Sequence, residues 1–467
     1  MENVPKLVRA GAGSGVNKLL FACWKMDRHR LKRLYGEIGY RNTLTRADAR
    51  EVRMKVLLAS VVLVCLCGLA FAEPSYTVLY NFGSFPGDGV SPAGGLVSDA
   101  AGNLYGITIG GGAYCQDIGG CGTAYELSPS GGGMETVLYS FCTTGNQLTC
   151  PDGSVPDAGL MMDKSGNLYG TTDSGGTGGA GVVFRLSPPQ GGSGNWSESV
   201  LWNFSENSKK NGFRPGFGKL NVDIGGNLYG TTQSGGASNK GIVYQLAAGG
   251  GTYTFSILHS FSGPDGADPQ YGVGIDNVGN LYGTTDEGGK SNTNCAGQCG
   301  LVYELTLSSG TWKERVLYEF NGGNGGNPVS PISIDTAGNL YGTLVTGGIG
   351  SCAFGGCGGV FKLVPKTGGS GNAYTFLFNG QNGGAPMGGV LVPPGGVVYG
   401  TTTNLGGNVF SLRGKSETVL YTFCSLPGCA DGAKPATGTL IEHGGALYGA
   451  TFSGGLNNSG VVYVVTP

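Results

Sequence analysis

The sequence predicts an all-β fold, a seven-bladed β-propeller of four-stranded blades. A Tyr-Gly pair recurs at intervals of 49–64 residues, at Tyr105, Tyr169, Tyr229, Tyr282, Tyr341, Tyr399 and Tyr448. Each pair is set among short apolar runs separated by turn residues, and a period near 50 residues with several strands per repeat is typical of propeller blades. A strand that precedes the first complete repeat is the third observation, because it indicates how the ring closes.

The second repeat shows the four predicted strands. Strand a is the apolar run 158–162, followed by the turn Asp-Lys-Ser-Gly-Asn, in which the Asp side chain accepts backbone hydrogen bonds. Strand b is Leu-Tyr-Gly-Thr-Thr at 168–172, strand c is 181–186 and strand d is 199–204. Each run has five or six residues, which is the usual length of a strand.

The order of the strands predicts closure of the ring by the N-terminal strand. A copy of strand d lies at 76–82, before any strand a, b or c, and the last repeat runs only to a strand c at 461–465. We expect residues 76–82 to complete the last blade, because a closed ring leaves no unpaired sheet edge. A β-solenoid and two smaller β domains are the alternatives. Pro393-Pro394 and Glu442-His443 replace the Asp turn in repeats six and seven, which predicts two distorted blades.

Composition agrees with many short strands joined by glycine-rich turns. Glycine accounts for 94 of 467 residues, charged residues for only 12% and hydrophobic residues for 39%. Glycine at this level without a collagen triplet is often a sign of disorder, but here the apolar runs recur evenly, as strands do. The net charge of −2 predicts no nucleic-acid partner and no binding to an anionic membrane.

The first 72 residues stand outside the repeats. From Met54 the chain is typical of a secretory signal, with Lys55, an apolar stretch at 56–69 and the small-x-small site Ala-Phe-Ala at 70–72. We expect residues 54–72 to be removed and residues 73–467 to form one secreted, periplasmic or surface-displayed propeller without a membrane span. Residues 1–53 form a basic extension. Either the start codon has been placed too early and Met54 is the true start, or the extension is a genuine cytoplasmic segment.

The cysteines agree with export. Ten of the 13 follow residue 72, and an even number in local pairs after a signal sequence is typical of disulfides. Zinc is the weaker interpretation, because no pair has the CxxC spacing and only two histidines follow residue 72. We expect no metal and no cofactor. The predicted disulfides are Cys115/Cys121, Cys142/Cys150, Cys295/Cys299, Cys352/Cys357 and Cys424/Cys429.

One face of the predicted propeller, which we call the loop face, is formed by the loops between strands b and c and between strand d and the next strand a. All five cysteine pairs fall in these loops. Rigid loops lose less entropy on binding a ligand, although long loops on one face would also explain the location. Carboxylates there suit Ca²⁺ or sugar hydroxyls, or else only build turns. The candidate ligand residues are Asp88, Asp152, Asp265, Asp268, Asp286, Glu287, Asp431, Tyr114 and Phe354, and other aromatic residues expected to be exposed there are Phe85, Phe213, Phe217 and Tyr271.

The string Gly-Asn-Leu-Tyr-Gly-Thr-Thr with a following Gly-Gly, at 166–176, 226–236 and 279–289, resembles the GloVer tandem repeat of exported bacterial proteins. The resemblance covers nearly all of the chain after residue 72. It implies secretion or surface display and β structure built from repeats, and it implies no reaction.

The function expected from these observations is binding. The sequence has no Gly-x-Ser-x-Gly elbow, no His-Glu-x-x-His and no P-loop. We expect a monomeric, non-catalytic propeller that binds a carbohydrate or protein partner through its loop face. A hydrolase or lyase that acts on polysaccharide with loop-face carboxylates and a structural protein of the cell envelope are the alternatives.

Overall fold

Seven antiparallel sheets follow one another along the chain, one for each Tyr-Gly pair. They are seen in a computed structural model that describes residues 73–115, 119–145, 149–191, 194–206, 211–289, 299–348, 352, 356–366, 369–380 and 383–467. The sheets form the seven blades of a β-propeller, so the predicted fold class is confirmed. In the described ranges no helix is long and apolar enough to cross a membrane.

The strands of the first four blades follow the predicted order a to d. Blade 1 consists of β2 (Gly89–Ser98), β3 (Leu104–Gly111), β4 (Thr123–Ser128) and β5 (Met134–Ser140). Blade 2 consists of β6 (Met161–Met162), β7 (Leu168–Thr172), β8 (Gly179–Ser187) and β9 (Ser197–Ser205). Blade 3 consists of β10 (Asn221–Val222), β11 (Leu228–Thr232), β12 (Ile242–Gly249) and β13 (Thr252–Ser260). Blade 4 consists of β14 (Val273–Ile275), β15 (Leu281–Thr285), β16 (Leu301–Ser308) and β17 (Thr311–Glu319).

The last three blades have an irregular strand a. Blade 5 consists of β18 (Gly326–Pro328), β19 (Ser333–Ile334), β20 (Leu340–Thr346), β21 (Gly359–Lys366) and β22 (Gly369–Leu377). Blade 6 consists of β23 (Val398–Thr402), β24 (Asn408–Arg413) and β25 (Ser416–Thr422). Blade 7 consists of β26 (Ala433–Pro435), β27 (Ile441–His443), β28 (Ala446–Ser453), β29 (Val461–Thr466) and β1 (Ser75–Asn81). Short 3₁₀ turns lie at Asn404–Gly406 and Pro427–Cys429.

The N-terminal strand closes the ring, as the sequence predicts. Strand β1 pairs antiparallel with β29, from Ser75 opposite Thr466 to Asn81 opposite Val461. The predicted distortion is present in blade 6, whereas strand a of blade 7 pairs regularly up to its turn, from Ile441 opposite Tyr448 to His443 opposite Ala446. Strand a of blade 6 is reduced to one bridge between Leu391 and Tyr399 just before the two prolines, because proline has no N–H to donate to a ladder.

The turn between strands a and b is built by one aspartate in each of the first five blades. Its Oδ1 accepts the N–H groups of the residues two and four positions later at 2.8–3.0 Å. Its Oδ2 accepts from the Asn of the turn and from the Tyr of the Tyr-Gly pair at 2.7–3.2 Å. The Tyr therefore ties the turn to strand b. These residues are Asp99, Asp163, Asp223, Asp276 and Asp335.

One hydrophobic cluster fills each of the seven interfaces between neighbouring blades. At every interface a phenylalanine at the end of strand d packs edge-on or tilted against an aromatic ring of strand c in the next blade, with ring centroids 4.9–5.4 Å apart. Tilted and edge-to-face pairs at such distances are the favourable arrangement of aromatic rings. The interface between blades 7 and 1 uses the same pair as the others, so the ring is continuous.

The aromatic ring of strand c explains the glycine of the Tyr-Gly pair. In blade 2 a Cβ added at Gly170 would lie 2.5 Å from Cζ of Phe184, and the equivalent glycine of every blade is covered in the same way by Tyr or Phe. Strand b therefore passes under a bulky ring with no room for a side chain. The recurring sequence pattern follows from this packing.

A second contact recurs seven times and joins each blade to the next at the loop face. The proline at the start of strand a packs against the glycine just before strand c of the preceding blade. We call this contact the proline clasp. Its pairs are Gly122–Pro156, Gly181–Pro215, Gly241–Pro269, Gly300–Pro328, Gly358–Pro386, Gly407–Pro435 and Gly460–Pro92.

The residue before each clasp proline has a left-handed backbone, with φ between +51° and +58°. In six blades its N–H donates to the carbonyl that precedes the clasp glycine, at 2.8–3.3 Å. Left-handed backbone is uncommon for non-glycine residues, above all β-branched ones such as Val155. The hydrogen bond and the proline contact together stabilise it. The seven residues are Ser91, Val155, Arg214, Asp268, Asn327, Ala385 and Lys434.

The clasp predicts different effects of one substitution at two neighbouring glycines. Gly179 and Gly181 both have positive φ, but a Cβ at Gly179 meets nothing within 4 Å, whereas a Cβ at Gly181 would collide with the Thr172 carbonyl and lie 3.0 Å from Cδ of Pro215. Gly179→Ala should cost about 1–2 kcal/mol, the penalty for left-handed backbone. Gly181→Ala should cost at least about 3 kcal/mol, because overpacking adds to that penalty. Urea unfolding of both variants measures the difference, and equal costs would contradict the close packing described around Gly181.

Candidate functional site

The predicted disulfides form on the loop face. Bonds join Cys115 to Cys121, Cys142 to Cys150, Cys352 to Cys357 and Cys424 to Cys429. Cys299 is also disulfide-bonded, and its predicted partner Cys295 lies outside the described residues. These cysteines lie in b–c loops or in the loops that lead to the next strand a, as the sequence predicts.

Three of these cysteines take part in the proline clasp. The carbonyls of Cys121, Cys299 and Cys357 accept the clasp hydrogen bond from the next blade, at 2.9–3.0 Å. A disulfide next to the acceptor fixes the end of the b–c loop and so holds the acceptor in place. Ring stability is therefore one role of these disulfides, and rigid loops around a ligand are compatible with it.

Four of the predicted ligand carboxylates are used inside the protein. Asp88, Asp152 and Asp431 each accept a hydrogen bond from the tyrosine of strand d at 2.7–2.8 Å. Asp265 lies 3.0 Å from Nε2 of His259, which occupies the same position in blade 3. All four also accept the N–H of a residue in the loop after strand d. They stabilise the loops, as the turn interpretation requires, and they lie apart from the candidate site defined below.

A glutamate of strand d lies beside three of these carboxylates. Burial first, and then the charges of the neighbouring Asp88, Asp152 and Asp265, raise the pKa of Glu135 to about 8 and those of Glu198 and Glu314 to about 7. Both carboxyl oxygens of Glu135 are buried without a hydrogen-bond partner. The neutral acid is therefore the form that the folded protein favours at this position.

The loop-face end of the ring axis is lined by three positions in each blade, which we call the mouth. They are the residues before and after the clasp proline and the residue after the Thr-Thr (or equivalent) end of strand b. In blades 2, 3, 4 and 6 a backbone hydrogen bond of 2.8–3.2 Å joins the first of these positions to the third. The three positions thus form one surface around the axis.

Tyr271 lies at the centre of the mouth. It belongs to blade 4, yet it packs in one cluster with Val329 and Val345 of blade 5 and Met387 of blade 6. Burial raises the pKa of Tyr271, and nearby carboxylates, which include Asp157 of blade 2, raise it further. A residue that neighbours three other blades must lie near the axis, so Tyr271 forms the floor of the mouth.

The acidic half of the mouth lies over blades 2 to 4. It contains Asp268 and Asp286, whose backbones are hydrogen-bonded at 3.1 Å. Burial and the charge of Asp286 raise the pKa of Asp268 to about 7. Burial raises the pKa of Asp286 to about 6, against a hydrogen bond from Asn327 that lowers it. The other acidic residues of this half are Asp157, Asp173 and the exposed Glu287.

The apolar half of the mouth lies over blades 5 to 7 and blade 1. After the clasp proline and after strand b, these blades carry mostly apolar residues, among them Val329, Val345, Met387, Phe452 and Ile109, whereas the exposed Lys434 precedes the clasp proline of blade 7. Phe452 is 41% exposed. The mouth is therefore divided into a carboxylate-rich half and an apolar half, with Tyr271 between them.

The aromatic residues predicted on the loop face have different exposures. Phe85, Tyr114 and Phe217 are exposed, at 47%, 40% and 41%. The expectation of exposure was wrong for Tyr271, which is 6% exposed because blades 5 and 6 cover it. Its ring centroid lies 6.1 Å from that of Phe217. Phe354 lies outside the described residues.

Several residues of the mouth were not predicted from the sequence. Asp157, Asp173, Arg214 and Lys219 belong to it or border it. Lys219 lies just before the innermost strand of blade 3, and burial of its amine lowers its pKa. The signal that would have found the first three is positional, because they flank a clasp proline or follow the Thr-Thr end of strand b.

Chemically, the mouth offers carboxylates, amides and aromatic rings. Gln270 donates to Asp268 at 2.8 Å, and Phe217 and Tyr271 present adjacent rings. Among the residues that the structure describes, one group of His, Cys, Asp or Glu side chains is close enough to share a metal ion. It consists of four cysteines of blade 1 and the loop after it, and it contains none of the mouth carboxylates. The mouth is suited to hydrogen bonding and stacking.

The Gloeobacter/Verrucomicrobia repeat family matches residues 65–220 and 215–463. The chain belongs to this family. The resemblance to the GloVer repeat is thereby confirmed, and two tandem regions account for most of the chain. No curated protein matches the sequence.

Solved structures resemble this family member only distantly. A luciferin-regenerating enzyme is 15% identical, with 85% of this chain and 96% of that one covered and a TM-score of 0.38. A Dyadobacter fermentans protein of unknown function is 11% identical, with 85% and 99% covered and a TM-score of 0.40. A candidate 6-phosphogluconolactonase from Bacteroides fragilis is 13% identical, with 77% and 88% covered and a TM-score of 0.44. Such low similarity carries no information about a reaction.

Glu135 predicts a pH dependence of stability in this repeat protein. Because the folded protein raises its pKa to about 8 from an ordinary 4.5, the stabilising neutral form is fully present below pH 4.5 and is lost as the pH rises through 8. Glu135→Gln, which mimics the neutral acid, should therefore unfold at higher urea than the wild type at pH 9 and differ less at pH 5. Exposed Glu442→Gln in blade 7 controls for the loss of a charge. A Glu135→Gln variant that is less stable at both pH values would contradict a buried neutral acid.

Proposed function

We propose that this protein is an exported, non-catalytic propeller that binds a carbohydrate at the mouth. The observation that carries the proposal is the division of the mouth into a carboxylate-rich half and an apolar half. A sugar ring has hydroxyl groups at its edge and C–H groups on its faces, so it needs hydrogen-bond acceptors and apolar contacts together. Ligand sites generally combine apolar walls with a few placed polar groups.

The rings at the mouth support this proposal. Phe217 is 41% exposed and its ring stacks towards the buried Tyr271. A sugar that lies on Phe217 would be close to Asp286 of blade 4, because both Phe217 and Asp286 are neighbours of Tyr271. Glu287 follows Asp286 in the chain. Tyrosine and phenylalanine supply rigid contact area at low entropic cost.

The charge of the mouth restricts the class of sugar. Five carboxylic acids lie over blades 2 to 4, whereas the cations are Arg214 and Lys219 in blade 3 and Lys434 in blade 7. A polymer of uronic acids would be repelled by the carboxylates, since like charges at close range oppose binding. We therefore expect neutral or amino-substituted polysaccharides to bind in preference to acidic ones.

Export is the second component of the proposal. It is supported by the disulfides of the loop face, which persist in oxidising compartments, and by the resemblance to repeats of exported proteins. Cleavage after Ala72 would leave two residues, Glu73 and Pro74, before β1, which starts at Ser75. The mature propeller would then be secreted, periplasmic or displayed at the surface.

One observation favours a second function, cleavage of polysaccharide. Asp268 and Asp286 are neighbouring carboxyl groups with pKa values of about 7 and 6, and a general acid needs a raised pKa near the working pH. Release of reducing ends from a bound polysaccharide, abolished in both Asp268→Asn and Asp286→Asn, would support a hydrolase. Binding without release by the wild type would contradict it.

Phe217→Ala tests binding at the mouth. Loss of one stacked ring costs about 0.5–1.5 kcal/mol, so the affinity for the best polysaccharide on a glycan array should fall about two- to twelvefold. Tyr374→Ala, which removes a 61% exposed ring from strand d of blade 5, is the matched control and should bind as the wild type does. Equal losses in both variants, or capture of a protein with no glycan bound, would overturn the proposed carbohydrate site.

Binding should also depend on pH. An ionised carboxylate accepts hydrogen bonds from sugar hydroxyls better than the neutral acid does. Because the pKa values of Asp286 and Asp268 are raised to about 6 and 7, affinity for a neutral polysaccharide should increase as the pH rises from 5 to 8. Calorimetric titration measures this change, and Asp286→Asn together with Asp268→Asn should abolish it. A flat profile in the wild type would exclude these two carboxylates from the site.

A further inference from the structure

Two disulfides of the loop face lie against each other. One is in the b–c loop of blade 1 and joins Cys115 to Cys121, and the other is in the loop from blade 1 to blade 2 and joins Cys142 to Cys150. The four sulfur atoms all lie within 4.8 Å of one another. The fold thus unites two pairs that are separate in the sequence.

The cluster is buried and almost closed to solvent. Cys121, Cys142 and Cys150 are 0–2% exposed, and the four cysteines form a separate apolar cluster of their own. The surrounding backbone is fixed by hydrogen bonds, since the Cys121 carbonyl accepts from Val155 at 3.0 Å and the Cys150 carbonyl accepts from Gly153 at 3.1 Å. The two pairs of sulfurs are therefore held side by side in the folded, disulfide-bonded protein.

Four thiolates in a closed pocket are the ligand set of a structural zinc site. A Zn–S distance of about 2.3 Å in a tetrahedron separates the sulfurs by about 3.8 Å. The four sulfurs all lie within 4.8 Å of one another, so reaching that arrangement after reduction requires each formerly bonded pair of sulfurs to move apart by side-chain rotation. We propose that Cys115, Cys121, Cys142 and Cys150 bind one Zn²⁺ when both disulfides are reduced.

The chemistry of the two states balances. Two equivalents of a dithiol each give two electrons and two protons to one disulfide and become disulfides themselves, which leaves four cysteine thiols. Zn²⁺ then replaces the four thiol protons and forms four Zn–S bonds. The oxidised state closes a loop within each pair, whereas the zinc state links the b–c loop of blade 1 to the loop that begins blade 2.

The absence of CxxC in the sequence does not conflict with this site. That spacing matters when both ligands of a pair come from one tight turn, whereas here the ring places two loops side by side. Within the described residues no other cysteine pair has a second pair near enough to complete a metal site. The inference is independent of the proposed carbohydrate site, because it rests on blades 1 and 2 and on sulfur alone.

Cobalt titration of the reduced protein tests the site. The purified protein is reduced without oxygen by excess dithiothreitol, separated from it, and titrated with Co²⁺ and then Zn²⁺. We expect one Co²⁺ per chain with the sulfur-to-cobalt charge-transfer bands of a tetrahedral thiolate centre, displaced by Zn²⁺. Zn²⁺ should also raise the Tm of the reduced protein.

Two double variants with equal numbers of cysteines distinguish the site from nonspecific thiol binding. Cys142→Ser with Cys150→Ser should lose the cobalt bands and the rise in Tm, and Cys352→Ser with Cys357→Ser should keep both. If the first variant does not fold, Cys115→Ser alone, at the least buried corner, should weaken Co²⁺ binding by at least about tenfold. Equal binding by both double variants, or no tetrahedral bands in the wild type, would overturn the proposal.

Discussion

Each blade of this propeller is fastened to the next by a proline that packs on a glycine with no room for a Cβ. The residue before the proline has a left-handed backbone. In six blades its N–H also donates a hydrogen bond to the preceding blade. Everything on the loop face depends on it, because the same residues that form the clasp also line the mouth. Disulfides hold the carbonyls of Cys121, Cys299 and Cys357, which accept the clasp hydrogen bonds. The clasp therefore contributes both to the stability of the ring and to the geometry of the mouth.

The sequence predicts the architecture well because the architecture is local and repeated. The Tyr-Gly pair, the Asp turn and the strand-d phenylalanine each act within one blade or between neighbours, so their periodicity shows the blades directly. The closing strand follows from the same pattern, since β1 is a strand d without a blade of its own until it pairs with β29. The disulfides follow from close spacing within single loops.

The site is less predictable, because it depends on contacts between distant parts of the ring. Asp88, Asp152 and Asp431 are turn residues in sequence, and only the tyrosines of strand d decide that their carboxylates point inwards. Tyr271 is buried by Val329, Val345 and Met387, which belong to other blades. The four-cysteine cluster likewise needs two loops from adjacent blades. The tyrosines lie only 8–13 residues before these aspartates, but the contacts of Tyr271 and of the four cysteines have no signature in a single repeat.

The central claim is that the clasp hydrogen bonds hold the ring as firmly as the strands do, and native-state hydrogen exchange tests it most directly. The amides of Ser91, Val155, Asp268, Asn327 and Ala385, which donate to the preceding blade at 2.8–3.0 Å, should exchange only through global unfolding and be protected as strongly as those of strand b. Fast exchange of these amides at the rate of open loops, while strand b stays protected, would contradict the account.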